Sequence, residues 1–227
     1  MSILTRLALA ATVAISVPFA AHSLIAQAEQ TAPVPRTEGD DLYRRGLYPE
    51  AIAWWTERAA QGDIEAARRL GVEYMDGKPN VVQRDFAKAR QYHLQAAMGG
   101  ERRSMMDLGT IYDNGYGVPE NLAEAARWYL WGARYGHGPA MYNTALMLET
   151  GDAGRTDLVE SYMWYILGAK EGFKMLPETK FDIMNPPADS AMGALHGKLT
   201  PAQRAEAHAR AKTFKPMTGP LPASENR

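Results

Sequence analysis

Cysteine is absent from all 227 residues. Its absence removes a disulfide framework, a thiolate metal site and lipid attachment through cysteine, while remaining compatible with an oxidising compartment where a free thiol would be a liability. An excess of charge of one sign is missing too. Twenty-five basic against 26 acidic residues leave a formal net charge of −1 at pH 7, so no long-range field draws in nucleic acid or an anionic membrane surface. Nucleic acid is therefore excluded as an expected partner. Histidine numbers only five, and no pair of them stands at a metal-ligand spacing. The chain has no phosphate-binding glycine loop, zinc-hydrolase histidine pair or serine-nucleophile elbow. Gly115-Tyr116-Gly117 lacks both a preceding strand and a third glycine, so it reads as a turn. The motifs thus imply no cofactor, no metal and no catalytic residue.

No apolar run reaches the length of a membrane span. The longest, Leu7 to Ala21, follows Arg6 and is interrupted by Thr12, Ser16 and Pro18. Ala26-Gln27-Ala28 then has the small-x-small form that a signal peptidase accepts. Residues 1–28 read as a secretory signal, which predicts an exported, periplasmic chain starting at Glu29, with no stable membrane insertion after cleavage. A cut after Ala21 and a retained anchor are the alternatives. The 46% apolar and 22% charged composition is that of a folded soluble protein.

What the chain has in abundance is a period. Gly62, Gly100, Gly136 and Gly172 are separated by 38, 36 and 36 residues. Bulky pairs lie eight and seven positions before each: Trp54-Trp55, Tyr92-His93, Trp128-Tyr129 and Trp164-Tyr165. Ala51, Ala89, Ala125 and Ser161 precede those pairs, and Ala59, Ala97, Ala133 and Ala169 follow them, at the spacings of one helix face. A second set marks another helix in each unit: Leu70-Gly71, Tyr74 and Gly77 recur as Leu108-Gly109, Tyr112 and Gly115, and weakly as Thr144-Ala145, Leu148 and Gly151. Small residues alternating with aromatics let two helices approach closely. The unit is therefore a helix pair closed by a glycine cap.

Leucine-glycine, tyrosine, Gly-x-Gly-Val-Pro, tryptophan-tyrosine and a final glycine, strongest over Met105 to Gly136, make the chain resemble the Sel-1-like repeat, a relative of the tetratricopeptide repeat. The first unit, with its short turn Gly46 to Ala51, resembles the tetratricopeptide version. The resemblance implies an all-α fold, a right-handed α-solenoid of four helix pairs over 37–62, 63–100, 101–136 and 137–173. Prolines at 177, 186 and 187 mark 174–188 as an irregular insertion. Capping helices are expected over 189–214, with Thr200-Pro201-Ala202-Gln203 as a capping box. Proline and glycine in 215–227 predict a disordered tail. A family branch linked with β-lactam hydrolysis carries paired cysteines, which this chain lacks.

His93 occupies a bulky register position and reads as core, whereas His137, in a Gly-Pro turn, is expected to face solvent. The aromatic register reads as packing, and Arg44-Arg45, Arg68-Arg69 and Arg102-Arg103 as solvated doublets. The resemblance implies a concave groove lined by the first helix of each pair, which receives a peptide or protein segment. Helix geometry around Leu70, Leu108 and Thr144 nominates Arg68, Val72 and Met75, then Met106, Thr110 and Asp113, then Tyr142, Asn143, Leu146 and Glu149. The expected function is a non-enzymatic adaptor, with envelope regulation as the setting that the resemblance implies; the alternative is an envelope hydrolase acting on peptidoglycan or a small ester through groove carboxylates.

Overall fold

Every helix pair depends on how its helices start and stop. The computed structural model describes residues 37–172 and 182–223. Residues 1–36, on which the expected signal over 1–28 falls, residues 173–181 of the expected insertion and residues 224–227 lie outside the described residues. Eight helices pair in chain order: α1 (Glu38–Arg44) with α2 (Tyr48–Ala60), α3 (Ile64–Asp76) with α4 (Phe86–Met98), α5 (Arg102–Asp113) with α6 (Leu122–Arg134), and α7 (Gly138–Thr150) with α8 (Leu158–Lys170). Two more, α9 (Ala191–Lys198) and α10 (Pro201–Thr213), pack on α8. The fold is an all-α solenoid.

Three second helices begin in the same way. Asp85, Asn121 and Asp157 accept the backbone N–H three residues on, satisfying an otherwise orphaned donor. The backbone N–H of each donates to the first helix, to the carbonyls of Tyr74 (2.8 Å), Tyr112 (2.8 Å) and Leu148 (3.1 Å). One residue thus starts a helix and ties it to its partner, which lets loops of different length close onto one geometry.

The ends are equally regular. Gly62, Gly100, Gly136 and Gly172 have φ of 91, 95, 81 and 80°, a region where a side chain is strained. The Gly100 and Glu101 N–H groups donate to the Ala97 and Ala96 carbonyls at 2.9 and 3.1 Å, the two bonds of a Schellman motif, repeated at Gly62 and Gly136. Asp63 and Glu101, which follow two of these glycines, also cap the next helix through their side chains.

Within a pair, a ring lies directly on glycine. A methyl group added to Gly109 would stand 2.3 Å from Tyr129 Cδ1, one at Gly71 2.7 Å from His93 Cε1, and one at Gly39 2.4 Å from Trp55 Nε1. Between pairs, apolar clusters follow one another along the array. One joins Ala97, Met105, Leu108, Trp128, Trp131 and Tyr135 across repeats 2 and 3; another joins repeat 4 to the last two helices through Tyr162, Trp164, Leu195 and Ala207.

The expected disorder over 215–227 is corrected for its described part. Residues 215–223 run back over the array, and Leu221, 6% exposed, enters the cluster between repeats 2 and 3. Proline limits the entropy this segment loses, so one buried leucine and a few hydrogen bonds suffice to hold it.

Trp128 is 5% exposed at the centre of its cluster. Trp128→Ala is expected to lower stability by about 3–5 kcal/mol in urea unfolding, through lost burial and a cavity. An unchanged midpoint would show that Trp128 does not hold the interface.

Candidate functional site

The nominated face lies on α3, α5 and α7, and its residues have unequal surroundings. Val72, Met75, Met106, Thr110, Asp113, Tyr142, Asn143 and Glu149 are half-buried, and Leu146 is 41% exposed. Repeats 3 and 4 link theirs into one strip. Asn143 Nδ2 lies 3.6 Å from Met106 Sδ, and Tyr129 Oη donates to Asp113 Oδ2 at 3.0 Å. The Thr110 and Asn143 side chains oppose the rise of the Tyr129 phenol pKa. Further along, Glu149 accepts from Tyr165 Oη at 3.4 Å and from Lys198 Nζ of α9 at 2.8 Å. Tyr142 meets the Tyr165 ring edge-on at 5.3 Å. Burial first, then the adjacent carboxylates, push both phenols well above their ordinary range, so they remain donors. Val72 and Met75 of repeat 2 add apolar surface.

Arg68 corrects the expectation of an outward groove residue and of a solvated doublet. It is 7% exposed, and its Nε and Nη2 donate to the two Glu65 carboxylate oxygens at 2.7 and 2.5 Å. Burial opposes the charge, but Glu65, then Glu101 at the N-cap of α5 and Asp107 within it, outweigh burial and raise the guanidinium pKa. A guanidinium held in this way reaches a ligand only by uncovering its carboxylates.

Fully buried His93 lies beside this arginine. Its Nδ1 is 3.1 Å from Ser104 Oγ and 3.5 Å from Asp107 Oδ2. Burial and then Arg68 hold its pKa down to about 4, against a Gly71 backbone hydrogen bond. Burial and then Glu101 push the Asp107 carboxyl up to about 7; Asp76 adds to this, and Arg68 and Arg103 oppose it. Serine, histidine and carboxylate are the residue types of a hydrolytic triad. However, Ser104 and Asp107 meet the same ring nitrogen, whereas a triad places them on opposite ones.

His137 is also a correction. It is half-buried, and burial, with Arg102 and Arg103 adding to it, lowers its pKa to about 4. The array packs around this turn, so it does not project into solvent. The sequence pattern marked neither Tyr129 and Tyr165 as parts of the face nor Asp107 as part of the buried cluster around His93. The tyrosines were visible only as register residues; nothing in Asp107's spacing marked it.

The two shifts in the buried cluster oppose each other with pH. Below 6.5 the unfolded state protonates His93 while the folded state resists down to about 4, so at this residue stability is lost as pH falls. Asp107 does the reverse: between about 7 and 3.8 the folded state holds a proton that the unfolded state lacks, so falling pH adds stability. Asp107→Asn removes this compensation. Its stability is expected to fall between pH 6.5 and 4 more steeply than wild type, by about 1.4 kcal/mol per pH unit at most. Parallel profiles in chemical denaturation would contradict this.

The Sel1 repeat model matches residues 64–101, 102–134 and 138–173. Among solved structures, a Sel1 repeat protein from Oxalobacter formigenes is similar at 28% identity and a TM-score of 0.56, over 59% of this chain and 54% of that one. This chain therefore spans little more than half of that relative. The c5321 protective antigen of uropathogenic Escherichia coli, described as displaying an SLR fold, aligns at 17% identity and a TM-score of 0.41, over 82% of this chain and 46% of that one. No curated protein matches the chain. Helix pairs, register glycines and matched repeats coincide, and the chain carries three Sel1 repeats, over residues 64–101, 102–134 and 138–173.

Proposed function

We propose that this protein is an exported, periplasmic adaptor without enzymatic activity, which holds a peptide or protein segment against the first-helix face of repeats 3 and 4. Sel1 repeat proteins generally mediate protein–protein interaction. The observation that carries the reading is the strip of Met106, Asn143, Tyr142 and Leu146. It combines an adaptable thioether, an amide, an aromatic ring braced edge-on by Tyr165 and an exposed leucine. Such a mixture supplies contact area at low entropic cost together with adaptable hydrogen bonding. Asp113 and Glu149, the carboxylates a hydrolase reading would use, each accept from a tyrosine, and Glu149 also pairs with Lys198. These contacts suit a fixed recognition surface better than proton transfer. Envelope regulation is the biological setting that the exported location suggests, with the signal over 1–28 and Glu29 as the first mature residue.

Periplasmic extract passed over the immobilised mature chain tests this. Wild type is expected to retain a stoichiometric protein partner, and the combined variant Met106→Ser, Tyr142→Ala, Leu146→Ser to lose it while keeping its helical circular dichroism, with about 2 kcal/mol lost at Tyr142 alone. Arg68 stays in place, since its removal takes a buried partner from the half-buried carboxylates around it. Retention of the partner by the triple variant, or turnover of cell-wall fragments by wild type, would overturn the reading.

A further inference from the structure

The C-terminal tail is held by a rule that repeats with the solenoid. In repeat 3 the Met217 N–H donates to the Arg134 carbonyl at 2.8 Å; in repeat 2 the Leu221 N–H donates to the Met98 carbonyl at 3.0 Å. Arg134 and Met98 are equivalent, each two residues before its register glycine. The tail therefore advances four residues as it steps back one repeat along the solenoid. Both donors follow proline, Pro216-Met217 and Pro220-Leu221, so proline fixes an extended backbone just before each hydrogen bond.

The glycines make the approach possible. A methyl group at Gly100 would stand 2.1 Å from the Gly219 carbonyl oxygen, and one at Gly136 3.2 Å from Pro216 Cβ. Tyr135 Oη donates to the Pro220 carbonyl at 3.1 Å, and Leu221 is buried in the cluster with Ala97, Met105, Trp128 and Trp131. Around these contacts the tail is open: residues 215–218 are exposed. Gly62, the equivalent position in repeat 1, has open space at its Cβ position.

We propose that the edge formed by the ends of α4 and α6 is a peptide-binding site for extended segments of another protein that carry proline followed by an apolar residue at four-residue spacing. The chain's own tail occupies the edge as an internal stand-in, and such a segment displaces it. Backbone donors, prolines and one apolar anchor are all the edge reads, so any segment with that spacing satisfies it. Proline lowers the ordering cost for a foreign segment as it does for the tail. This edge is separate from the first-helix strip, and the proposal stands or falls independently of it.

The test uses the full chain and a fluorescein-labelled synthetic peptide of residues 215–223. Leu221→Asp frees the edge. The peptide is expected to bind this variant at least about tenfold more tightly than wild type, where the tail competes. Adding Tyr135→Phe should weaken that binding, and a peptide with aspartate in place of its leucine should not bind. A peptide with one more proline-leucine unit should bind more tightly, through repeat 1. In wild type, excess peptide should accelerate hydrogen exchange at the Met217 and Leu221 amides; this readout also serves if the variant does not fold. No binding to a folded Leu221→Asp chain, or unchanged exchange in wild type, would overturn the proposal and leave the tail a fixed cap. A wild-type dimer that the peptide dissociates would also overturn it, making a second copy's tail the occupant.

Discussion

A bulky ring pressed onto the backbone of a glycine sets the distance between the two helices of a pair, and everything else follows that distance. Tyr129 lies so close to Gly109, and His93 to Gly71, that even a methyl group at either glycine meets the ring. At that separation the Asn121 and Asp85 backbones can reach the first-helix carbonyls of Tyr112 and Tyr74. The second helix then ends where its glycine cap can hand the chain to the next first helix. Repeat 4 replaces glycine with Ala145, and Ser161 Oγ donates to the Ala145 carbonyl at 2.7 Å. A hydrogen bond there joins helices that a ring on glycine joins elsewhere.

The same closeness shapes the surface. Because Tyr129 and Tyr165 cross the pair interface, their phenols emerge beside Asp113 and Glu149 on the first-helix face. The face is therefore braced from behind by second-helix residues, which favours a rigid recognition surface over a mobile one. On the opposite side of the packing problem, the ends of the second helices leave a row of carbonyls and open glycines. The tail uses two of them.

Repeat periodicity was legible because packing demands the same residue types at each interface, so the glycines, the bulky pairs and the alanines report the fold directly. Arg68 was misread because helix geometry says which way a side chain leaves its own helix, not whether the next repeat covers it. Met106 and Tyr142 hold the equivalent position and stay half-buried, while Glu65 and the cluster around His93 enclose Arg68. The tail was misread for a related reason. Its proline and glycine content matches a linker, and nothing local shows that two of its N–H groups fall at the solenoid's spacing. Tyr129 and Tyr165 carry both a packing and a surface role, of which the period reveals only the first.

Ring-on-glycine contact, not helix propensity, governs these positions. Glycine to alanine in a helix ordinarily stabilises by about 0.5–1 kcal/mol. Gly197 of α9 has open space at its Cβ position, so Gly197→Ala should show that gain in urea unfolding. Gly109→Ala should instead lose about 1–3 kcal/mol, because the added methyl drives Tyr129 out of place. A gain at Gly109 equal to that at Gly197 would contradict the account.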